Sequence, residues 1–160
     1  MSEPITPTPF TAEQIRDASP SGRLITTRMT DEAEAHTYWQ SRFTECDEKG
    51  ALIENRPVSS DGDLIGEAER ARATWEQLRD HASFPGPATS ISDEEITTEL
   101  GPLQCHRYEV ERGEATDLFW FASGRPGPPV RTATRHNGKE RVTTEIIADT
   151  SAVQARQSPG

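Results

Sequence analysis

The sequence predicts an α+β domain: a curved antiparallel meander sheet of about eight strands with one long helix packed on one face. Three observations predict it. Four period-two segments, Leu103–Arg112, Thr116–Ala122, Val130–His136 and Lys139–Ile147, follow one another with turn-forming residues at each junction. Asn137-Gly138, between the last two, is the pair a two-residue type I′ turn demands, because both residues tolerate positive φ. From Leu64 onward the period changes: Leu64, Ala68, Ala71, Trp75, Leu78 and Ala82 recur at spacings of four, three, four, three and four. That is one apolar stripe on a helix of about five turns.

Residues 1–10, with Pro4, Pro7 and Pro9 among threonines, read as a flexible arm. Thr11 with Gln14 three residues on is a capping box opening a short helix to about Ala18, which Ser19-Pro20-Ser21-Gly22 ends. Strands follow at Arg23–Met29, Ala35–Thr44 and Ala51–Arg56 as a three-strand meander. In the second of these, Trp39 and Phe43 point inward and His36, Tyr38, Gln40 and Arg42 outward. Asp61 or Asp63 caps the long helix Leu64–Ala82, and Phe84-Pro85-Gly86-Pro87 stops it. A strand from about Glu94 leads through Gly101-Pro102 into the C-terminal segments.

In Leu103–Arg112 the alternation stumbles, and a β-bulge near His106-Arg107 would return Leu103, Cys105, Tyr108 and Val110 to one face. In the next strand Leu118, Trp120 and Ala122 alternate with Asp117, Phe119 and Phe121, so both faces are apolar and the strand is central. A hairpin at Asn137-Gly138 sets His136 opposite Lys139, Arg135 opposite Glu140, Ala133 opposite Val142 and Thr132 opposite Thr143. The domain therefore spans residues 11–148, and 149–160, small and polar, read as a disordered tail.

Composition bounds the function. Leu, Ile, Val and Phe make up 26 of the 160 residues, and the formal net charge is −10. Both values lean toward disorder; the strand patterning outweighs them, and the core is thin. Residues 1–100 carry 9 Lys/Arg and 20 Asp/Glu, net −11, whereas residues 101–141 carry 7 and 5, net +2. The acidic total argues against nucleic-acid binding and against anionic membranes. No segment approaches the length needed to insert in a bilayer, and Met1-Ser2-Glu3-Pro4 lacks a basic region followed by an apolar run, so the cytoplasm is expected.

No catalytic motif is present. Cys105 and His106 are neighbours on a strand and so point to opposite faces; Cys105 reads as a packed small hydrophobe. Cys46, beside Asp47 and Glu48, reads as unreactive. The four histidines have no ligand spacing, so neither a metal nor a cofactor is expected. Asp93-Glu94-Glu95 reads as a solvated run rather than an acid/base pair. Arg131 and Arg135 share a strand face, with Arg125 in the preceding proline loop. The plain reading is a charge-protected edge, the sharper one a weak carboxylate or phosphate site.

Cys105-His106-Arg107-Tyr108-Glu109-Val110, then Phe119-Trp120-Phe121-Ala122, then Pro126-Gly127-Pro128-Pro129-Val130 form a recurrent pattern. The C-terminal third resembles uncharacterised small bacterial proteins that pair a C-x-x-Y-x-V strand with an F-W-F strand and a P-G-x-P-V entry. Such proteins are similar to the lipoprotein-carrier type of fold, a curved antiparallel sheet closed by helices over an apolar hollow. The resemblance implies a hydrophobic-ligand role.

The leading expectation is thus a non-enzymatic domain binding an apolar or amphipathic small molecule between sheet and helix. Trp39, Trp75, Tyr108, Phe119 and Trp120 are the expected lining. The alternative is a protein-interaction or self-association module, a homo-oligomer included, using a strand edge or an aromatic face. An enzyme stands third and needs Cys105, His106 or a carboxylate pair to converge in a cleft.

Overall fold

The computed structural model describes residues 7–150. Nine strands make the sheet: β1 (Leu24–Thr30), β2 (His36–Thr44), β3 (Gly50–Val58), β4 (Glu69–Thr74), β5 (Thr89–Thr98), β6 (Gly101–Arg112), β7 (Ala115–Ala122), β8 (Arg131–His136) and β9 (Lys139–Thr150). Their order is β4-β3-β2-β1-β9-β8-β7-β6-β5 with every neighbour antiparallel. Two sequential meanders, β1–β4 and β5–β9, are therefore joined by pairing of β1 with β9, and the sheet ends at β4 and β5 without closing. Two short helices, α1 (Ala12–Ala18) and α2 (Trp75–Asp80), pack against each other.

The expected count of about eight strands becomes nine because the long helix Leu64–Ala82 does not form. Residues 69–74, Glu-Arg-Ala-Arg-Ala-Thr, pair with β3 as an edge strand, Arg70 and Arg72 on one face and Ala71 and Ala73 on the other. Alanine and arginine satisfy both periods, so the helical spacing there carried little information. Gly50 permits the pairing: a Cβ at Gly50 would sit 2.0 Å from the Ala73 carbonyl oxygen. Leu64, the first member of the supposed stripe, is 55 % exposed. Only Trp75–Asp80 is helical, opened by Thr74, whose hydroxyl accepts from the Gln77 N–H while the Gln77 side chain accepts from the Thr74 N–H. The same box at Thr11 and Gln14 opens α1 as expected.

At Asn137-Gly138 φ is 54° and 79°, as a type I′ turn requires. His136 faces Lys139 and Arg135 faces Glu140 as expected, but a bulge between Thr134 and Arg135 then shifts the register. Thr134 meets Val142, Ala133 meets Thr143, and Thr132 meets Thr144 with hydroxyls 2.6 Å apart. These pairs replace the expected Ala133–Val142 and Thr132–Thr143. Conversely, the bulge expected at His106-Arg107 is absent, since β6 keeps an unbroken register with both β5 and β7.

That unbroken register divides the apolar side chains between two faces. Tyr108, Val110, Phe119 and Phe121 share one face with Ile25, Phe43 and Ile53, and α1, α2, Phe10 and Phe84 pack there. Cys105, Leu118, Trp120 and Ala133 lie buried on the other. The β5–β6 hairpin folds back over this second group, so that β5 touches β9 and Arg28 on β1 lies 3.9 Å from Glu99 in the β5–β6 turn. β7 is thus central and covered on both sides, as its sequence predicts.

Both domain boundaries move. Phe10, assigned to the arm, is buried edge-on to Phe121 at 6.3 Å, and Pro7 accepts a 2.6 Å hydrogen bond from the Tyr108 hydroxyl. Asp149 and Thr150, assigned to the tail, complete β9. The rest of the arm, 1–6, and of the tail, 151–160, lies outside the described residues.

Candidate functional site

On the helix-covered face the side chains do not fill the space. A cavity of about 230 Å³ remains, floored by Ile25, Ser41, Phe43 and Ile53 of the first meander and by Phe119 and Phe121 of the second. Ile15 of α1, Leu78 of α2, and His81, Ala82 and Phe84 beyond it form the roof, and Gly127, Pro128 and Pro129 close one side. None of these residues is Asp, Glu, Lys or Arg. An apolar cavity of about 150 Å³ is enough to stay dry and take up benzene, so this one admits a molecule of roughly ten heavy atoms.

Each wall has a local cause. Phe84, Phe119 and Phe121 form a near-parallel ladder, Phe84 on Phe119 at 4.8 Å and 30°, Phe119 beside Phe121 at 6.4 Å and 18°. Phe119 and Phe121 align because they alternate with Trp120 on one strand. Tyr108 braces the ladder from the side, 5.3 Å from Phe121 and at 77° to it. The proline wall is held by Arg23, whose Nη1 donates to the Pro126 carbonyl at 2.9 Å. Gly127, at φ 142°, packs so tightly that a Cβ would lie 3.0 Å from that same nitrogen.

Of the five aromatic residues expected to line a pocket, Phe119 alone does so. Tyr108 stands behind it. Trp75 is buried, its Nε1 donating to the Asp47 carbonyl at 2.8 Å. That turn is held in place by the Lys49 and Gly50 N–H groups on the Asp47 carboxylate, which keep its pKa below the usual value, Gly50 first and Lys49 second. Trp39, half-buried on β2, sits between Thr27 and Pro57. Trp120 occupies the opposite face, between the guanidinium groups of Arg131 at 5.2 Å and Arg107 at 5.8 Å, its Nε1 donating to Glu94 at 3.2 Å. Ile15 and Phe84, absent from the expected lining, come from segments whose relation to the sheet only the folded chain reveals, whereas Leu78 stands on the stripe expected to cover the sheet. The Thr74/Gln77 box was the one local signal for a helix starting at Trp75.

The three arginines read as a weak anion site do not converge. Arg125 pairs with Asp149 at 3.4 Å, Arg131 lies over Trp120, and Arg135 pairs with Glu140 at 3.6 Å. Cys105 is buried, and burial first and the Glu94 carboxylate second push its thiol up to about 11. His106 points to the other face, its Nδ1 2.8 Å from the exposed Asp93 carboxylate. Among the described residues no cluster of His, Cys, Asp or Glu could hold a metal, and no helix is long and apolar enough to cross a membrane.

No protein-family model matches this chain, and no curated protein does.

Proposed function

We propose that this protein binds an apolar or amphipathic small molecule, of roughly ten heavy atoms, in the cavity between the sheet and its two helices, and holds it without reacting with it. The observation that carries the reading is the cavity itself, a space of about 230 Å³ walled mostly by phenylalanine, aliphatic and proline side chains, with Ser41 and His81 as its polar members and no carboxylate, ammonium or guanidinium group. Water gains few hydrogen bonds there, so an apolar guest replaces it favourably. The resemblance of the C-terminal strand pattern to proteins of the lipoprotein-carrier type implies the same kind of role. Two free thiols, one of them buried, support a reducing compartment such as the cytoplasm. Titration with 2-naphthol, a neutral two-ring fluorescent dye, followed by native mass spectrometry, tests the reading. Binding of one equivalent of apolar probe is expected; absence of any dye enhancement or bound mass at millimolar probe removes it.

A second reading is protein association, favoured by Leu64 and Ile65, which are 55 % and 65 % exposed in the segment leading to the free β4 edge. Sedimentation over a range of concentrations separates the two, since a strictly monomeric species excludes self-association.

A further inference from the structure

Resting on that reading, we infer that the guest is a neutral planar aromatic molecule carrying an N–H or O–H donor, and that Ser41 receives the donor. Charge comes first. A fatty acid or other carboxylate entering the cavity meets no lysine or arginine, and the His81 imidazole is the one lining side chain that can take a positive charge. The guanidinium behind Gly127 belongs to Arg23 and is already held by Asp149, Ser19 and the Pro126 carbonyl. An anion held here would find at most the His81 imidazole in place of its hydration shell.

Polarity comes next. Pro128 and Pro129 have no N–H, so these two wall residues offer a guest no backbone donor. Ser41 lines the cavity and donates its hydroxyl proton to the Asn55 side-chain oxygen at 2.5 Å, which leaves its own oxygen to act as an acceptor. The polar character of the cavity near Ser41 and the prolines is therefore that of an acceptor, suited to a ligand that donates.

Shape completes the argument. Phe84 of the roof stacks on Phe119, which lies near-parallel to Phe121 on the floor, and a flat ring packs against such rings better than a flexible chain. The volume of about 230 Å³ suits two fused rings.

Indole, indene and octanoate are the probes. Indene matches indole in shape but has no N–H, and octanoate has a comparable carbon count with a charge. Calorimetry on the wild type, Ser41→Ala and Ser41→Thr is expected to show octanoate at least about tenfold weaker than indole. The indole-to-indene affinity ratio should fall about fivefold in Ser41→Ala and return in Ser41→Thr, which keeps the hydroxyl on a strand that suits a β-branched residue. Octanoate binding as tightly as indole, or a ratio unmoved by Ser41→Ala, overturns this inference and leaves the apolar-binding reading standing. Failure of all three probes to bind the wild type overturns that reading, and the inference with it.

Discussion

Arg23, the residue before β1, grips Asp149 near the end of β9 by two parallel hydrogen bonds, Nε to Oδ1 at 3.0 Å and Nη2 to Oδ2 at 2.8 Å. Their side chains are 5 % and 8 % exposed. Through Nη1 the same guanidinium holds Ser19 at the end of α1 and the Pro126 carbonyl, each at 2.9 Å, so one side chain ties a helix, two strands and the cavity wall together. Removing one member strands a buried charge. Asp149→Ala should therefore cost about 3–5 kcal/mol in urea denaturation, whereas Arg23→Met combined with Asp149→Leu should recover most of the loss. A cost below about 1 kcal/mol for Asp149→Ala would place the pair among ordinary surface bridges.

Ala82 is buried and lines the cavity roof. Enlarging it fills space that no side chain uses. Ala82→Leu should abolish dye binding while leaving the thermal midpoint unchanged or higher. Unchanged dye affinity in a folded Ala82→Leu protein would show that the dye binds elsewhere.

Thr74 and Thr11 each cap a helix reciprocally with a glutamine three residues on. Replacement of either by alanine should destabilise the protein by about 1 kcal/mol, and by serine much less. Thr74→Ala should show the additional loosening of Trp75 as a red shift in fluorescence, because α2 begins at that residue.

Burial raises the Cys105 thiol to about 11 from an unperturbed 9.0. The folded state therefore keeps the proton more tightly than the unfolded chain. This contribution to stability is fully present below pH 9 and is lost as pH rises through about 11. Denaturation midpoints measured from pH 8 to 11 should decline in the wild type and decline less in Cys105→Ala. Alkylation at pH 8 should modify Cys46, which is partly exposed, well before Cys105.

Much of the sheet was legible because β-strand signals are local. The alternation on both faces of β7 marks a central strand, period-two segments give the three-strand start of the first meander, and Asn137-Gly138 locates its hairpin. The register of that hairpin drifted after two pairs because a bulge adds a residue without any signature in the side chains around Arg141. β4 carries a helical period because Ala71 stands at helical spacing from Ala68 and Trp75 while also alternating with Arg70 and Arg72 as a strand does.

By itself the sequence determined what a few adjacent residues settle among themselves: two capping boxes, a type I′ turn, the alternation of most strands, and an acidic chain with a thin core. Those features rest on backbone dihedral preferences and on contacts within four residues. Only the tertiary structure decided that residues 69–74 extend along β3, that β1 pairs with β9, and that Ile15, Phe84 and Pro128 meet across a space they leave open. Edge pairing needs a partner strand already in place, and a cavity is the volume left over when elements distant in sequence have closed. Neither is written in any one stretch of the chain.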